Sequence, residues 1–234
     1  MLNPKKKISK KELKQDTLIS GYVEITSYYE KYKKQINQAL LGLVLISIVT
    51  VVYVNNRRSN NEKASSELSK IMSIYDNAVN DFTQYQTAIN GPADGHIMGL
   101  KAIVDNYGNS DAGELARFYL ANAYFNSGKI EEALTQFDKF SSDDKLLRAS
   151  AFAGMASCYE AKKEFGKAAS YYEKASNLIS NTINTPSYLH HAGRCYGLAG
   201  EKEKAVSLYK RLKKEFPNSS FGRDADRYIA QFAV

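Results

Sequence analysis

One long run of uncharged residues constrains the fold of this chain more than any other feature. Residues 35–56 carry no charged side chain. As a helix rising about 1.5 Å per residue, residues 36–54 reach roughly 28 Å, the thickness of the hydrocarbon layer of a bilayer. A buried core helix would normally carry one polar stripe, but within residues 39–54 no side chain is more polar than a hydroxyl. The run therefore predicts a single transmembrane helix over residues 36–54.

The flanks of this run indicate an anchor that stays in the protein. A cleaved secretory signal has a short basic region and a small-residue cleavage site, whereas here 35 residues precede the run and no Ala-x-Ala follows it. Residues 1–35 contain nine Lys, and residues 55–74 contain four Lys or Arg. Because the more basic flank stays in the cytoplasm, we expect the N-terminus there and the long C-terminal part outside.

The positive charge belongs to the membrane flanks. The chain has a net charge of +7, of which residues 1–35 supply +5 and Arg57 and Arg58 supply two. Residues 59–234 are left with 21 basic and 21 acidic side chains. Lys and Arg at such positions attract anionic headgroups, so the charge excludes nucleic acid as the expected partner.

The basic tail before the span, residues 1–35, contains one amphipathic pattern. Its apolar positions follow each other in steps of four and three: Leu18, Tyr22, Ile25, Tyr29, Tyr32 and Ile36. This spacing predicts a helix with one apolar, Tyr-rich face. Two interpretations stay open: an interfacial helix lying on the cytoplasmic leaflet, or a helix that docks on a membrane partner.

Three segments of the C-terminal part repeat the same spacing of small and aromatic residues. A small residue is followed by an aromatic residue after three positions, Ala after nine more and a second aromatic after four more. The three sets are Ala121, Tyr124, Ala133, Phe137; Ala156, Tyr159, Ala168, Tyr172; and Gly193, Tyr196, Ala205, Tyr209. Small residues let two antiparallel helices approach closely, and the aromatic residues fill the space beside them. Gly128, Phe165-Gly166 and Gly200 are the expected turns between the paired helices.

This pattern closely resembles the tetratricopeptide repeat, which implies three copies at about 114–145, 149–180 and 186–217. The motif of Asn109-Ser110 and Gly113 recurs at Asn218-Ser219 and Gly222, so residues 221–234 are predicted as a capping helix. We expect residues 92–220 to form the repeats, including a degenerate half-repeat at their start. Residues 55–91 are expected to be a linker and a long amphipathic helix. The predicted fold class is all-α: one transmembrane helix followed by a short α-solenoid.

The sequence offers no catalytic or metal-binding constellation. His96, His190 and His191 form no metal set with the two cysteines, and phosphate loops and nucleophile motifs are missing. Cys158 and Cys195 occupy equivalent repeat positions, expected about 8–10 Å apart, beyond the Cα limit of a disulfide. They are predicted to be free core thiols, and the chain is predicted to be neither an enzyme nor a cofactor protein.

The resemblance to tetratricopeptide repeats also implies a binding groove along the first helix of each repeat. The positions carried over are Phe118, Asn122, Phe125 and Asn126; Ala153, Ser157 and Glu160; and His190, Arg194 and Leu198. A clamp for a peptide carboxylate is not implied, because Phe118 stands where that clamp has Lys. The alternative for Phe118 and Phe125 is that both rings belong to the core.

In architecture the whole chain resembles the YfgM-type ancillary subunit of the Sec translocon, which presents such repeats to the periplasm from the bacterial inner membrane. The resemblance implies a chaperone-like module that holds or hands over polypeptides at the outer face of the translocon, with contact through tail and span. The alternative is a structural scaffold for outer-membrane or cell-wall assembly.

Overall fold

A computed structural model describes residues 10–78 and 81–233, with side chains from residue 19 onward. Within these residues the chain is helical and contains no strand. It divides into two compact units, residues 1–56 and residues 57–234. Each is described by itself.

The first unit consists of the N-terminal part of helix α1 (Lys10–Asn77). This helix is long and apolar enough to cross a membrane, judged by length and composition. The hydroxyls of Ser47 and Thr50 donate to the carbonyls of Leu43 and Ile46, four residues earlier. These bonds satisfy both hydroxyls inside the helix, as an apolar surrounding requires.

The helix continues through both ends of the predicted span without a break. An interfacial helix lying flat on the leaflet needs a break near residue 35, whereas α1 is one continuous helix there. The expected linker after residue 54 is helical as well. No Pro occurs between residues 10 and 77, so nothing in this sequence forces the backbone out of the helix.

The second unit begins with the last part of α1, followed by α2 (Thr83–Asn90) and α3 (Leu100–Tyr107). Leu68, Ile71, Tyr85, Ile89, Leu100 and Ile103 are buried together there. Helix α1 ends at Asn77 and α2 begins at Thr83, so the long amphipathic helix expected within residues 55–91 is divided into two helices. Phe82, just before α2, is 68% exposed. The side chain of Asp81 accepts bonds from the backbone N–H and hydroxyl of Thr83, which starts a new helix there.

The repeats consist of three helix pairs. They are α4 (Asp111–Asn126) with α5 (Ile130–Lys139), α6 (Lys145–Ala161) with α7 (Phe165–Leu178), and α8 (Thr185–Leu198) with α9 (Lys202–Glu215). Each helix packs against the next along the chain. Ser110 and Asp144 cap α4 and α6 by accepting bonds from backbone N–H groups.

Two of the three expected turns are where the sequence places them. Gly128 and Gly200 adopt positive φ angles of 76° and 83° between their paired helices. In the second repeat the residue at this position is Lys163, with φ 61°, and Gly166 lies inside α7. The prediction that Phe165-Gly166 forms the turn was wrong, because Lys163 adopts the left-handed conformation itself.

The small and aromatic residues of the repeat pattern form the core. Ala133, Ala168 and Ala205 have no exposed surface, and Phe137, Tyr172 and Tyr209 are at most 6% exposed. Two close approaches show the tightness of this packing: a Cβ added at Gly154 would overlap the ring of Phe137, and one added at Gly193 would lie 2.8 Å from the ring of Tyr209. Cys158 and Cys195 are buried and free.

The chain ends in α10 (Ser220–Arg223) and α11 (Ala225–Phe232). Ser219 accepts the N–H of Gly222, as Ser110 accepts that of Gly113, so the recurring motif forms the same helix N-cap in both places. Helix α11 packs on α9 through Ala225 and the half-buried Tyr228, Ile229 and Phe232. Asp226, Arg227 and Gln231 are exposed on it, the polar outer face expected of a cap.

Candidate protein-binding groove

In the first repeat, the two predicted groove aromatics pack against the core of α5. The ring of Phe118 lies 6.1 Å from that of Phe137 and 5.6 Å from that of Phe140, between centroids. Phe125 is half-buried against the same cluster. Both rings therefore contribute to the fold, which is the alternative stated for them. Whether they also bind a partner stays a prediction.

The two asparagines of this helix differ in exposure. Asn122 is half-buried and its side-chain amide donates to the carbonyl of Phe118 on the preceding turn. Asn126, at the end of α4, is exposed. The first repeat thus presents one exposed and one half-buried amide beside two half-buried aromatic rings.

In the second repeat, the groove position Ser157 forms a hydrogen bond with a core residue. Its hydroxyl lies 2.9 Å from the hydroxyl of Tyr172 on α7. The ring of Tyr172 stacks on His191 of α8, 5.2 Å between centroids. Burial raises the pKa of Tyr172 to about 12, although the Ser157 hydrogen bond opposes this. The phenol is therefore neutral and acts as a hydrogen-bonding group.

An ion pair connects the groove positions of the second and third repeats. Arg194 of α8 donates to the carboxylate of Glu160 of α6 at 2.6 Å, and the thiol of Cys195 donates to the other oxygen at 3.5 Å. Burial alone raises the pKa of Glu160, but the hydrogen bond and charge of Arg194 outweigh it and hold the pKa below its usual value. The side chains of Arg194 and Glu160 remain 34% and 27% exposed.

Five side chains of α6, α7 and α8 thus form two neighbouring sets, which together we name the polar strip: Ser157, Tyr172 and His191 in one, and Glu160 and Arg194 in the other. The charges of Glu160 and Arg194 act on the pKa values of Tyr172 and His191. Sequence reasoning named three of them as groove residues. It assigned Tyr172 to the core alone and gave His191 no groove role. The available signal was that Tyr172 and Tyr209 carry a hydroxyl where the first repeat has Phe137, because a buried phenol usually has a polar partner.

Of the two remaining groove positions of the third repeat, His190 packs against the cap. Its ring stacks on Phe221 at 4.3 Å and lies 4.7 Å from Tyr228. Burial, together with the neighbouring His191 and Arg194, lowers the pKa of His190 to about 4. Its ring is therefore neutral at pH 7 and belongs to the aromatic packing under α10 and α11. Leu198, by contrast, is 52% exposed.

This surface presents hydrogen-bonding groups. Burial raises the pKa of Cys158 and Cys195 to about 12, so both are thiols at neutral pH and poor nucleophiles. Among the described residues, no three His, Cys, Asp or Glu side chains are grouped as metal ligands. The polar strip offers hydroxyl, imidazole, carboxylate and guanidinium groups in fixed positions.

The tetratricopeptide-repeat family models match residues 115–144, 149–182 and 188–219. The chain carries tetratricopeptide repeats. The chain superimposes on two solved structures of the nearly identical TPR-like repeats of a Podosopora anserina protein described as a kinesin light chain, one of them a point variant. Each superposition has a TM-score of 0.54 at 16% identity and covers 70% of this chain and 85% of the other. This likeness shows the fold alone. No curated protein matches the chain.

Proposed function

We propose that this protein is a membrane-anchored binding module that takes polypeptides at the outer face of the Sec translocon. Tetratricopeptide repeats are protein–protein interaction modules, and an apolar helix precedes them in the same chain. The Lys excess before residue 36 supports an orientation with the repeats outside the cytoplasm. The assignment to the inner membrane and the translocon rests on the resemblance in architecture.

The polar strip carries the proposal for the binding site. Ser157 bonds Tyr172, Arg194 bonds Glu160, and His191 stacks on Tyr172, so these contacts between helices restrict the geometry before a partner arrives. Ser157, Glu160 and Arg194 are nevertheless partly exposed, and each has lone pairs or N–H groups beyond those already bonded. An extended polypeptide presents backbone N–H and C=O groups along its length, which these side chains can bond.

A second candidate function, a scaffold for one partner in outer-membrane or cell-wall assembly, is favoured by the scarcity of exposed apolar groups. A module for unfolded chains is expected to present apolar surface. In the described part of residues 57–233, the exposed large apolar side chains are Phe82, Leu146, Ile183 and Leu198. Leu198 alone among them belongs to the predicted groove.

Photo-crosslinking in intact membranes tests the binding site. A photoreactive amino acid replaces Ser157 in the polar strip or, as the matched control, Thr135, which is exposed on α5 and bonds the Glu131 carbonyl of its own helix. We expect polypeptide adducts at Ser157 and few at Thr135. Equal adducts at both positions, or adducts at Thr135 alone, would contradict a site at the polar strip.

The size distribution of the adducts separates the two functions. Many adducts of different mass, lost when secretion is blocked, indicate a module for polypeptides in transit. A single adduct of constant mass, independent of secretion, indicates the scaffold. In both cases the Arg194→Met variant is expected to lower the yield, because it removes a donor from the strip and leaves Glu160 without its partner.

A further inference from the structure

The helix before the span presents an apolar face that other described side chains do not cover. Tyr22 is 70% exposed and Ile25 is 71% exposed, and Tyr29, one further position of the same face, is 38% exposed. These residues belong to the described part of the first unit, which is a single helix. A face of this kind needs a covering surface, either lipid or protein.

Lipid does not reach this face if residues 36–54 span the bilayer. Helix α1 continues without a break from Ile25 into the span. Ile25 lies eleven residues before Ile36, which is about 16 Å along the axis. Tyr22 lies about 21 Å away by the same measure. The headgroup layer is only about 5–7 Å thick on each side, and a tilt of about 20° shortens these distances by less than a tenth.

The spacing of the face is that of a coiled-coil seam. From Leu18 to Ile36 the apolar positions alternate in steps of four and three without a gap, which places them at the a and d positions of successive heptads. Among residues 19–36 the charged side chains lie on other faces, with the exception of Lys33. Glu24, Glu30 and Lys31 are all exposed, at the c and b positions.

We propose that residues 18–36 form a parallel coiled coil with the same residues of a second copy of this chain. The proposal rests on the membrane insertion contained in the proposed function. Two copies inserted in one direction bring identical heptads side by side in register, so each apolar position meets its own counterpart. Lys33 lies at an e position, 3.7 Å from Glu30 of its own helix. In the pair it faces Tyr28, at the preceding g position of the other copy, whose uncharged ring can accept a cation–π contact.

Disulfide trapping of the full chain in native membranes tests this seam. Cys158 and Cys195 are first replaced by Ala, and one Cys is then introduced on the seam (Tyr22→Cys or Ile25→Cys) or off it (Glu24→Cys or Ser27→Cys). Under mild oxidation we expect a covalent dimer from both seam variants and several-fold less from both off-seam variants. Equal yields at all four positions, no dimer at any, or an adduct with a different protein would overturn the proposal.

A second measurement covers the case in which a Cys variant folds poorly. The unsubstituted chain in detergent micelles is expected to have the protein mass of a dimer, and the Ile25→Lys/Tyr29→Lys variant that of a monomer with unchanged melting of the repeats. A monomeric unsubstituted chain would overturn the proposal. Both readouts are independent of the polar strip, so a failed groove leaves them unaffected. Failed membrane insertion is recognised separately, by release of the chain from membranes at alkaline pH.

Discussion

At the scale of single residues, Lys163 holds a backbone conformation that its repeat counterparts leave to Gly. Its φ of 61° matches those of Gly128 and Gly200, and its N–H donates to the carbonyl of Glu160. The left-handed conformation costs an L-residue roughly 1–2 kcal/mol. The turn is therefore retained by the helices on both sides against a local preference.

Replacing Lys163 by Gly is expected to stabilise the repeats. Gly removes the free-energy cost of the left-handed conformation. This gain exceeds the loss of about 0.5–1 kcal/mol that results from the larger conformational entropy of Gly in the unfolded chain. We expect a net gain of about 0.5 kcal/mol in the free energy of unfolding, measured by urea denaturation of the full chain in detergent. The control Lys210→Gly, at an exposed position within α9, should lose about 1 kcal/mol. A loss at Lys163 as large as at Lys210 would contradict this account of the turn.

His190 predicts a dependence of stability on pH. Its ring faces Phe221 and Tyr228 of the cap and Tyr209 of α9, with His191, Arg194 and Arg227 as nearby positive groups and Asp224 as the opposing one. The Nδ1 atom has no hydrogen-bond partner among the described residues. The folded-state pKa of about 4 lies below the unfolded value of about 6.5, so protonation favours the unfolded chain.

The stabilisation by neutral His190 is therefore complete above about pH 6.5 and decreases as the pH falls toward 4. After allowance for its partial exposure, we expect the step from pH 7 to pH 5 to cost about 1 kcal/mol through this residue. The His190→Phe variant keeps the ring stacking and should lose that part of the pH dependence in urea denaturation. A drop of unchanged size in the variant would show that other groups cause it.

At the scale of elements, the cap depends on a few aromatic contacts. The ring of Phe232 stacks parallel to that of Tyr209, 6.1 Å between centroids, and lies over Gly197, where an added Cβ would overlap it. Phe232→Ala is expected to destabilise the second unit by about 2 kcal/mol, below the range for fully buried Phe. Gln231→Ala, one residue away and exposed, should change it by less than about 0.5 kcal/mol. Equal thermal melting of the two variants would mean that α11 does not act as a cap.

The helix pairs could be predicted from the sequence because their signal is local and repeated. Ala133, Ala168 and Ala205 occupy equivalent positions in three helices, so each repeat gives independent evidence for the same assignment of residues to helix positions. The interruption near Asp81 could not be predicted, because Phe82 fits the helical spacing of apolar residues although its ring is exposed. Continuing the helix through Phe82 would bury no apolar surface there. The hydrogen bonds from Thr83 to the side chain of Asp81 therefore determine where the new helix begins.

The groove was harder to predict than the helices that form it. Its positions follow from repeat register, but their exposure depends on neighbours distant in sequence. Phe140 of α5 covers Phe118, and Phe221 of the cap covers His190. Glu160 and Arg194 are 34 residues apart, and their pairing follows from the packing of α6 against its neighbours. A single sequence carries no direct signal for such pairs.

At the scale of the whole molecule, the chain separates its charge and its apolar surface between two units. Residues 19–54 expose most of the large apolar side chains, and residues 59–234 have no net charge. The exposed apolar side chains of the first unit are compatible with contact to lipid or to a second helix. The surface of the second unit is compatible with water and with a polypeptide partner. The proposed function follows from joining the two in one chain through α1.

The position of the repeats relative to the membrane tests this account most directly. A reporter enzyme that is active only outside the cytoplasm is fused after residue 234, and the membranes are washed at alkaline pH before assay. We expect the fusion to stay with the membranes and the reporter to be active. A membrane-bound but inactive reporter would reverse the orientation, and release of the fusion by the wash would contradict the anchor itself.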